Sequence, residues 1–180
     1  MRNTFGVLAA VALLAVSVSA QDKEDKENDR AGRTVTKSLS APDAVCTFAD
    51  GKQLTVRYKR TAVDRNEDLP IGKLWPSSGS AMLLFTPVGL AIGGFEIPAG
   101  AFSMYIIPGS DDWTLIVNKN VDESAKYDET QDLLRTPMKT GEIGAPAEEF
   151  RVYFAHIAPR QCNMRLYYGR RGSWAEFRER

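Results

Sequence analysis

The chain has 180 residues, enough for one sizeable core, and its 23 basic side chains balance 23 acidic ones. Because it carries no net charge and no basic run, it lacks the electrostatic footprint of a protein that binds nucleic acid or an anionic membrane surface. One histidine and two cysteines exclude the usual zinc-ligand spacings. We therefore expect no metal, no other cofactor and no nucleic-acid partner.

Residues 1–20 have the pattern of a secretory signal peptide. Arg2 precedes an uninterrupted apolar run from Phe5 to Val16, and the small residues that follow indicate cleavage after Ala20. The run is shorter than the about 20 residues that a transmembrane helix needs; a retained N-terminal anchor is the alternative. We expect a protein that is exported to the periplasm or the extracellular space, with no membrane span in the mature chain.

Residues 21–39 form a predicted linker. Its first part, QDKEDKENDRAGR, mixes acidic and basic side chains and contains no large apolar residue. Such a segment buries too little surface to offset its chain entropy, which is typical of disorder. We place a single folded domain at residues 40–180.

Beyond residue 40, apolar residues recur with a period close to two, which is typical of β-strands. The predicted strands are 44–48, 54–58, 81–86, 90–92, 95–97, 102–107, 113–118, 150–157, 162–168 and a short last strand at 173–177. Only residues 121–132 are compatible with a helical turn. The pattern predicts an all-β, mostly antiparallel β-sandwich, with a jelly-roll-like or barrel-like arrangement as the alternative.

Cys46 and Cys162 are the two cysteines of the chain. Each alternates with apolar residues, such as Ala44 in the first segment and Met164 in the second, so both side chains are expected to face the core. An even number of cysteines in an exported protein favours a disulfide, here between an early and a late strand. Two buried free thiols are the alternative.

Six segments carry a family resemblance: APDAV at 41–45, DGKQLTVRY at 50–58, LPIGKLW at 69–75, IGGFEIPAGAFSMYIIPG at 92–109, WTLIVNK at 113–119 and EEFRVYF at 148–154. In this order they resemble a bacterial exported family known only as domain of unknown function 2911, over residues 40–177. The resemblance implies a compact β-sandwich in a secreted or periplasmic bacterial protein. It implies no reaction, because the family has no assigned activity.

The chain departs from the family pattern after the first matching tryptophan. Trp75 is followed by Pro76 where the family usually has Arg, and Ser80 and Ala81 stand where it usually has Asn and Glu. Tyr168 takes the place of another usual Trp. If these polar residues form a site in relatives, that site is not intact here. We therefore interpret the chain as a divergent member of the family.

The serines that follow Trp75 suggest a nucleophile, which would need a base. The only histidine is His156, and no Gly-x-Ser-x-Gly motif is present. His156 continues the apolar face of the strand at 150–157, so we expect it to end a row that faces the core. We predict no catalytic residue; the candidate ligand-binding residues are Trp75, Ser78, Ser80 and His156.

The acidic segment 118–129 has the spacing of a calcium-binding loop. Oxygen-bearing side chains fall at ligand positions one, three, five, seven and twelve: Asn118, Asn120, Asp122, Ser124 and Glu129. Position one should be Asp, however, and position six should be Gly but is Glu123. The flanking segments are also predicted strands rather than helices. We interpret the segment as a solvated loop and predict no metal site.

Aromatic side chains form the last group of candidates. Tyr105 and Tyr153 alternate with apolar residues of the predicted core rows, so they should face solvent or a second layer. Large aromatics in β-sandwiches usually belong to the core. An exposed aromatic platform for a sugar or a peptide is the alternative.

These patterns favour a non-catalytic binding or structural module of the bacterial cell envelope or extracellular space, with an unidentified ligand or envelope component as its partner. The first alternative is a hydrolase that acts on carbohydrate or peptide through a site that the sequence does not assemble. The second is a subunit of an assembly that pairs through an uncovered sheet edge.

Overall fold

The computed structural model describes residues 43–64, 69–75, 81–122 and 126–180. The predicted signal peptide, the predicted linker, Ser78 and Ser80 lie outside these residues. Within the described chain, nine strands are present: β1 Asp43–Thr47, β2 Gln53–Arg57, β3 Met82–Thr86, β4 Leu90–Ile92, β5 Phe95–Ile97, β6 Gly100–Ile107, β7 Trp113–Asn118, β8 Asp132–Ala158 and β9 Gln161–Glu179. A single 3₁₀ turn, Glu129–Gln131, confirms the helical turn expected in 121–132.

The strands form one antiparallel sheet in the order β1-β2-β3-β6-β7-β8-β9-β4-β5. β8 is shared between two layers, because its residues 132–138 pair with β7 and its residues 139–158 pair with β9. Buried residues of both parts, such as Leu84 of β3 and Met164 of β9, belong to one hydrophobic core. The predicted β-sandwich is therefore confirmed. The barrel-like alternative is wrong, because the sheet does not close on itself.

β8 and β9 are much longer than the sequence predicts, since the prediction placed strands only at 150–157, 162–168 and 173–177. Prolines and glycines between 137 and 146 suggest turns, yet the structure accommodates them in β8. Pro137 pairs with Thr114 of β7, and the β8–β9 ladder begins only at Lys139. The missing amide of Pro137 therefore costs no hydrogen bond to β9.

The disulfide between Cys46 of β1 and Cys162 of β9 confirms the predicted pairing. Both side chains are buried, and they join the two layers across the core. The backbone amide of Ala49 also donates to the carbonyl of Pro159 at 2.9 Å, beside the turn between β8 and β9. The side chain of Lys52 donates to Glu179 of β9 at 3.1 Å in the same region. This end of the sandwich is thus joined by the disulfide and by hydrogen bonds.

An aromatic group occupies the opposite part of the core. Trp75 exchanges two backbone hydrogen bonds with Ile106 of β6, at 2.7 and 3.0 Å. Its ring packs edge-on against Phe150 with centroids 4.6 Å apart, and it also contacts Trp113 and Tyr168. The segment 69–75 is consequently attached to β6 and to the core.

A second, smaller apolar cluster lies on the other face of β6 and β7. Tyr105 and Ile116 are buried there, and the Tyr105 ring contacts Tyr127 with centroids 4.9 Å apart. Tyr105 is thus covered by Tyr127 on this face and is not open to solvent, which is one of the two outcomes that the alternation allowed. No helix among the described residues is long and apolar enough to cross a membrane.

Candidate functional site

A cavity with a volume of about 1200 Å³ lies beside the aromatic group. Four parts of the described chain line it: the 61–64 segment, the 69–75 segment, the middle of β8 and the middle of β9. Its lining residues are Val63, Asp64, Leu69, Ile71, Pro146, Ala147, Glu148, Tyr168, Gly169, Arg170 and Arg171. The volume is somewhat above the about 300–1,000 Å³ of most small-molecule sites, so a small molecule fits in it.

The cavity opens where the β8–β9 ladder is irregular. The register shifts between Glu142 and Ala147 and again between Ala147 and Arg151. Gly169 of β9 has φ of 57°, a left-handed conformation that a side chain would strain. The two strands therefore separate locally instead of continuing a flat pair.

Residues 61–63 attach to the edge of β8 that does not pair with β9. The amide of Val63 donates to the carbonyl of Glu148 at 2.8 Å, and the amide of Phe150 donates to the carbonyl of Thr61 at 2.7 Å. Ala62 and Glu149 form an isolated antiparallel bridge. One cavity wall is thus held by backbone hydrogen bonds.

Tyr168 provides an aromatic surface inside the cavity. It is half-buried, and its ring packs edge-on against Trp75 with centroids 5.3 Å apart. Leu69 and Ile71 add apolar surface from the segment that ends at Trp75. Ile71 is 53% exposed, so it borders the opening rather than the core. The apolar wall of the cavity is therefore backed by Trp75 of the hydrophobic core.

Charged side chains of both signs line the same cavity. Asp64 and Glu148 contribute carboxylates from the 61–64 segment and from β8, and Arg170 and Arg171 contribute guanidinium groups from β9. Arg171 also donates to the carbonyl of Ser110 at 3.1 Å, which restricts its position. A cavity with apolar, anionic and cationic lining suits a small amphipathic molecule with charged groups.

The predicted ligand-binding residues do not form one site in the described chain. Trp75 is only 4% exposed and supports the cavity through Tyr168 rather than facing it. His156 lies beyond Phe150, the β8 neighbour of Trp75, by about six residues or roughly 20 Å of extended strand. Ser78 and Ser80 follow Trp75 directly but lie outside the described residues.

The expectation that His156 faces the core is wrong. The row Phe150 and Val152 is buried, but Phe154 is only half-buried and His156 is exposed. His156 pairs with Cys162, and the register shifts immediately afterwards, before Ala158. His156 is thus exposed although Cys162, its partner in the ladder, is fully buried and bonded to Cys46 of the opposite layer. The strand alternation alone does not reveal which residues of a row stay covered.

The described parts of the 118–129 segment, residues 118–122 and 126–129, contain a polar network; Glu123 and Ser124 lie outside the described residues. Asn118 is buried; its amide nitrogen donates to Asp132 at 2.8 Å, and its oxygen accepts from the amide of Asn120 at 2.9 Å. Glu129 pairs with Arg135 at 2.9 Å. No group of three or more His, Cys, Asp or Glu residues in the described chain could hold a metal ion.

Tyr127 belongs to the same network. Its hydroxyl donates to Asp132 at 2.7 Å and accepts from Arg135 at 2.7 Å. Burial, followed by the hydrogen bond to the Asp132 carboxylate, raises the pKa of Tyr127 to about 12. The network holds Tyr127, in the segment between β7 and β8, against the start of β8. We assign it a structural role.

One comparison with known proteins identifies the family. The family described as Protein of unknown function (DUF2911) matches residues 40–173. The chain belongs to the DUF2911 family. A search of curated proteins and a search of solved structures each gave no match. The match confirms the resemblance that the six sequence segments indicated.

The DUF2911 segments also explain part of the cavity. The segment LPIGKLW contains Leu69 and Ile71 of the lining as well as Trp75 beneath it. Tyr168, where the family usually has Trp, lines the same space. Sequence reasoning singled out Trp75 and Tyr168 but missed Arg170 and Arg171. The only local signals were the glycines and prolines of the irregular β8–β9 region.

Proposed function

We propose that this DUF2911 protein is an exported, non-catalytic binding module of the cell envelope or the extracellular space, and that its ligand occupies the cavity beside Tyr168. The observation that carries the proposal is the cavity of about 1200 Å³, with a backbone-anchored wall and a supported aromatic surface. The ligand class that fits is a small amphipathic molecule with an apolar portion and charged groups.

The packed aromatic side chains beneath the cavity keep its surface in one shape before a ligand binds. Tyr168 packs on Trp75, and Trp75 in turn packs on Phe150, so the Tyr168 ring has buried neighbours on the side away from the cavity. A ligand therefore meets a surface that needs little ordering, which reduces the entropic cost of binding. The charged lining from Asp64, Glu148 and Arg170 orients its polar end.

Export is supported by two independent features. The first 20 residues have the charge and hydrophobic pattern of a signal peptide. The Cys46–Cys162 disulfide is of a kind that persists in oxidising compartments and is rare in the cytosol. Together they favour the periplasm or the extracellular space as the place of action.

A thermal-shift screen of the mature chain with cell-wall fragments and other small amphipathic molecules tests the binding role. We expect at least one compound to raise the melting temperature in a concentration-dependent way. Ile71→Glu places a carboxylate at the opening and should abolish the shift. Val121→Glu is the matched control, because Val121 is an exposed apolar residue in another loop, 46% exposed, and does not line the cavity.

Two results would overturn the proposal. A hit that stabilises the Ile71→Glu variant as well as the parent chain would place the binding site elsewhere. Turnover of an ester, peptide or glycoside panel that disappears in His156→Ala would replace the binding role with the hydrolase alternative.

Self-association through a sheet edge is the partner interaction that we add to this proposal. β1 and β5 end the strand order, and each pairs with only one neighbouring strand in the described chain. An unpaired backbone edge can accept another strand. Size-exclusion chromatography across a dilution series tests it: a monomer at every concentration would remove this part of the proposal.

A further inference from the structure

The outer face of the β8–β9 hairpin carries a strip of aromatic and basic side chains that the cavity does not use. Tyr167 and Tyr168 are consecutive, so they point to opposite faces of β9. Tyr168 faces the cavity and Trp75, whereas the Tyr167 ring lies 5.6 Å from the ring of Tyr153, which is 44% exposed. The two tyrosines therefore share the outward face.

Two glycines extend this face toward Trp174. Gly141 and Gly172 are opposite each other in the β8–β9 ladder. A Cβ added at Gly172 would lie 3.3 Å from the Tyr167 ring, and one added at Gly141 would lie 3.2 Å from the Trp174 ring. Both rings thus cover glycine backbone on one side of the sheet. Tyr153, Tyr167 and Trp174 form a low aromatic surface, which we call the outer strip.

Arginines alternate with the tyrosines across the two strands. Arg151 is directly opposite Tyr167, and Tyr153 is directly opposite Arg165, so all four side chains share the outward face. Arg151 donates to the Tyr153 hydroxyl at 3.2 Å. Each exposed ring therefore has a guanidinium group beside it, in an arrangement able to bind a carboxylate next to a stacked ring.

The charge of the outer strip is positive although the whole chain is neutral. Arg151 is paired with Glu149 at 3.1 Å. Arg165 is bonded to the side chain of Asn163 at 3.0 Å rather than to an acid. Lys139 stands opposite Trp174, on the same face. Glu176, two residues beyond Trp174 on the same face, accepts from Gln161 at 2.9 Å. The strip thus combines three cations with two carboxylates and complements an anionic partner.

We propose that the outer strip binds an acidic polysaccharide, one whose sugar rings carry carboxylate groups. Sugar rings present flat C–H faces that can lie on the rings of Tyr153 and Tyr167, while their carboxylates pair with Arg151 and Arg165. The Tyr167 and Trp174 rings cover the directly opposed Gly172 and Gly141, so with Tyr153 they form one continuous surface that has room for a short run of sugar units. The surface is separate from the proposed ligand cavity.

Two other occupants fit less well. A second copy of the chain packed by two-fold symmetry would set this basic surface against itself, which like charges oppose. A protein partner usually anchors its side chains in pockets. The outer-strip residues line neither the large cavity nor the smaller one of about 480 Å³ beside Lys52.

Affinity electrophoresis of the mature chain tests the proposal, in native gels that contain either polygalacturonate or neutral dextran. We expect polygalacturonate to retard the protein and dextran to have little effect. Tyr153→Ala should raise the apparent Kd by about two- to tenfold, the range of one lost aromatic contact. Arg165→Gln should raise the Kd by a similar factor and make the binding less dependent on salt.

Matched variants make the test specific. Phe95→Ala removes an aromatic of similar exposure from β5, 46% against 44% for Tyr153, and Arg57→Gln removes an exposed arginine from β2, outside the β8–β9 hairpin. Both should be retarded like the parent chain. Retention of full binding by Tyr153→Ala and Arg165→Gln, or loss of binding in the control variants, would overturn the proposal.

Other outcomes would overturn it in identifiable ways. Absence of retardation in polygalacturonate would reject the polysaccharide. Self-association that disappears in Tyr153→Ala would assign the strip to a second copy. The cavity proposal is tested separately, because Ile71→Glu should leave the retardation unchanged and Tyr153→Ala should leave the thermal shift of a cavity ligand unchanged.

Discussion

The ring of Tyr168 meets the ring of Trp75 edge-on, with centroids 5.3 Å apart and an interplanar angle of 72°. One ring lines the cavity and the other is part of the core. A change in core packing at Trp75 is therefore transmitted directly to the surface that a ligand would touch.

Trp75→Ala is expected to lower the free energy of unfolding by about 3–5 kcal/mol, because it removes a buried aromatic and leaves a hole beside Phe150 and Tyr168. Chemical denaturation measures the loss. Tyr168→Phe keeps the ring contact and should change the stability by less than about 1 kcal/mol. Equal costs for the two substitutions would contradict the assigned support role of Trp75.

Loss of the Cys46–Cys162 disulfide is expected to cost about 4–5 kcal/mol, because the bond closes a loop between residues 116 positions apart. Denaturation of the Cys46→Ala/Cys162→Ala variant, compared with the oxidised parent, measures this. Denaturation of the parent under reducing conditions should give nearly the same loss. Alkylation of the unreduced, unfolded protein by a thiol reagent would show that the bond is absent in solution.

Tyr127 is expected to ionise near pH 12, because burial and the hydrogen bond to Asp132 disfavour its phenolate. Burial raises the pKa of Tyr105 too, so the substitution Tyr127→Phe is needed for assignment. Since the folded-state pKa of Tyr127 lies above its ordinary value of 10, its contribution to stability is complete below pH 10 and is lost as the pH rises toward 12.

Ultraviolet titration of tyrosinate checks this assignment. Tyr127→Phe should remove the late step and leave the earlier steps in place. Stability measured between pH 10 and 12 should also fall less steeply in Tyr127→Phe than in the parent chain. If all tyrosines titrate together near their ordinary pKa, the hydrogen bond from Tyr127 to Asp132 is not maintained in solution.

Gly172→Ala is expected to destabilise the domain by about 1–3 kcal/mol, because the added Cβ would lie 2.9 Å from Ile143 and 3.3 Å from the Tyr167 ring. Thermal or chemical unfolding measures the change. Gly144→Ala is the matched control in the same region, since nothing lies within 4 Å of its added Cβ. A neutral Gly172→Ala would mean that Tyr167 does not lie over the glycine.

The full chain expressed in a bacterium with a general secretion system should yield a mature protein that begins at Gln21. Intact-mass measurement of the cell-envelope and medium fractions checks both the cleavage and the compartment. A protein that keeps residues 1–20 and stays in the cytosol would contradict export.

The amino-acid sequence by itself determined the strand character and favoured the disulfide. Alternation of apolar and polar residues is a local property, and it assigns each side chain to one face of its strand. It placed Cys46 and Cys162 on core-facing rows, and the structure joins them. It also put Tyr105 and Tyr153 on faces away from the main core rows.

Only the tertiary structure decided how far those faces are covered. Tyr105 is buried against Tyr127, whereas Tyr153 and His156 remain exposed, although all three occupy strand positions. The length of β8 was also hidden, because a proline usually ends a strand, whereas Pro137 lies before the β8–β9 ladder begins.

The cavity and the outer strip depend on tertiary structure for the same reason. The cavity arises where β8 and β9 shift register and where Val63, distant in sequence, hydrogen-bonds to Glu148, and the outer strip arises from the cross-strand pairs of the same two strands. Such long-range contacts leave no periodic signal in the chain. The sequence therefore specifies which residues can face a core, and the pairing of distant segments determines which of them meet a ligand.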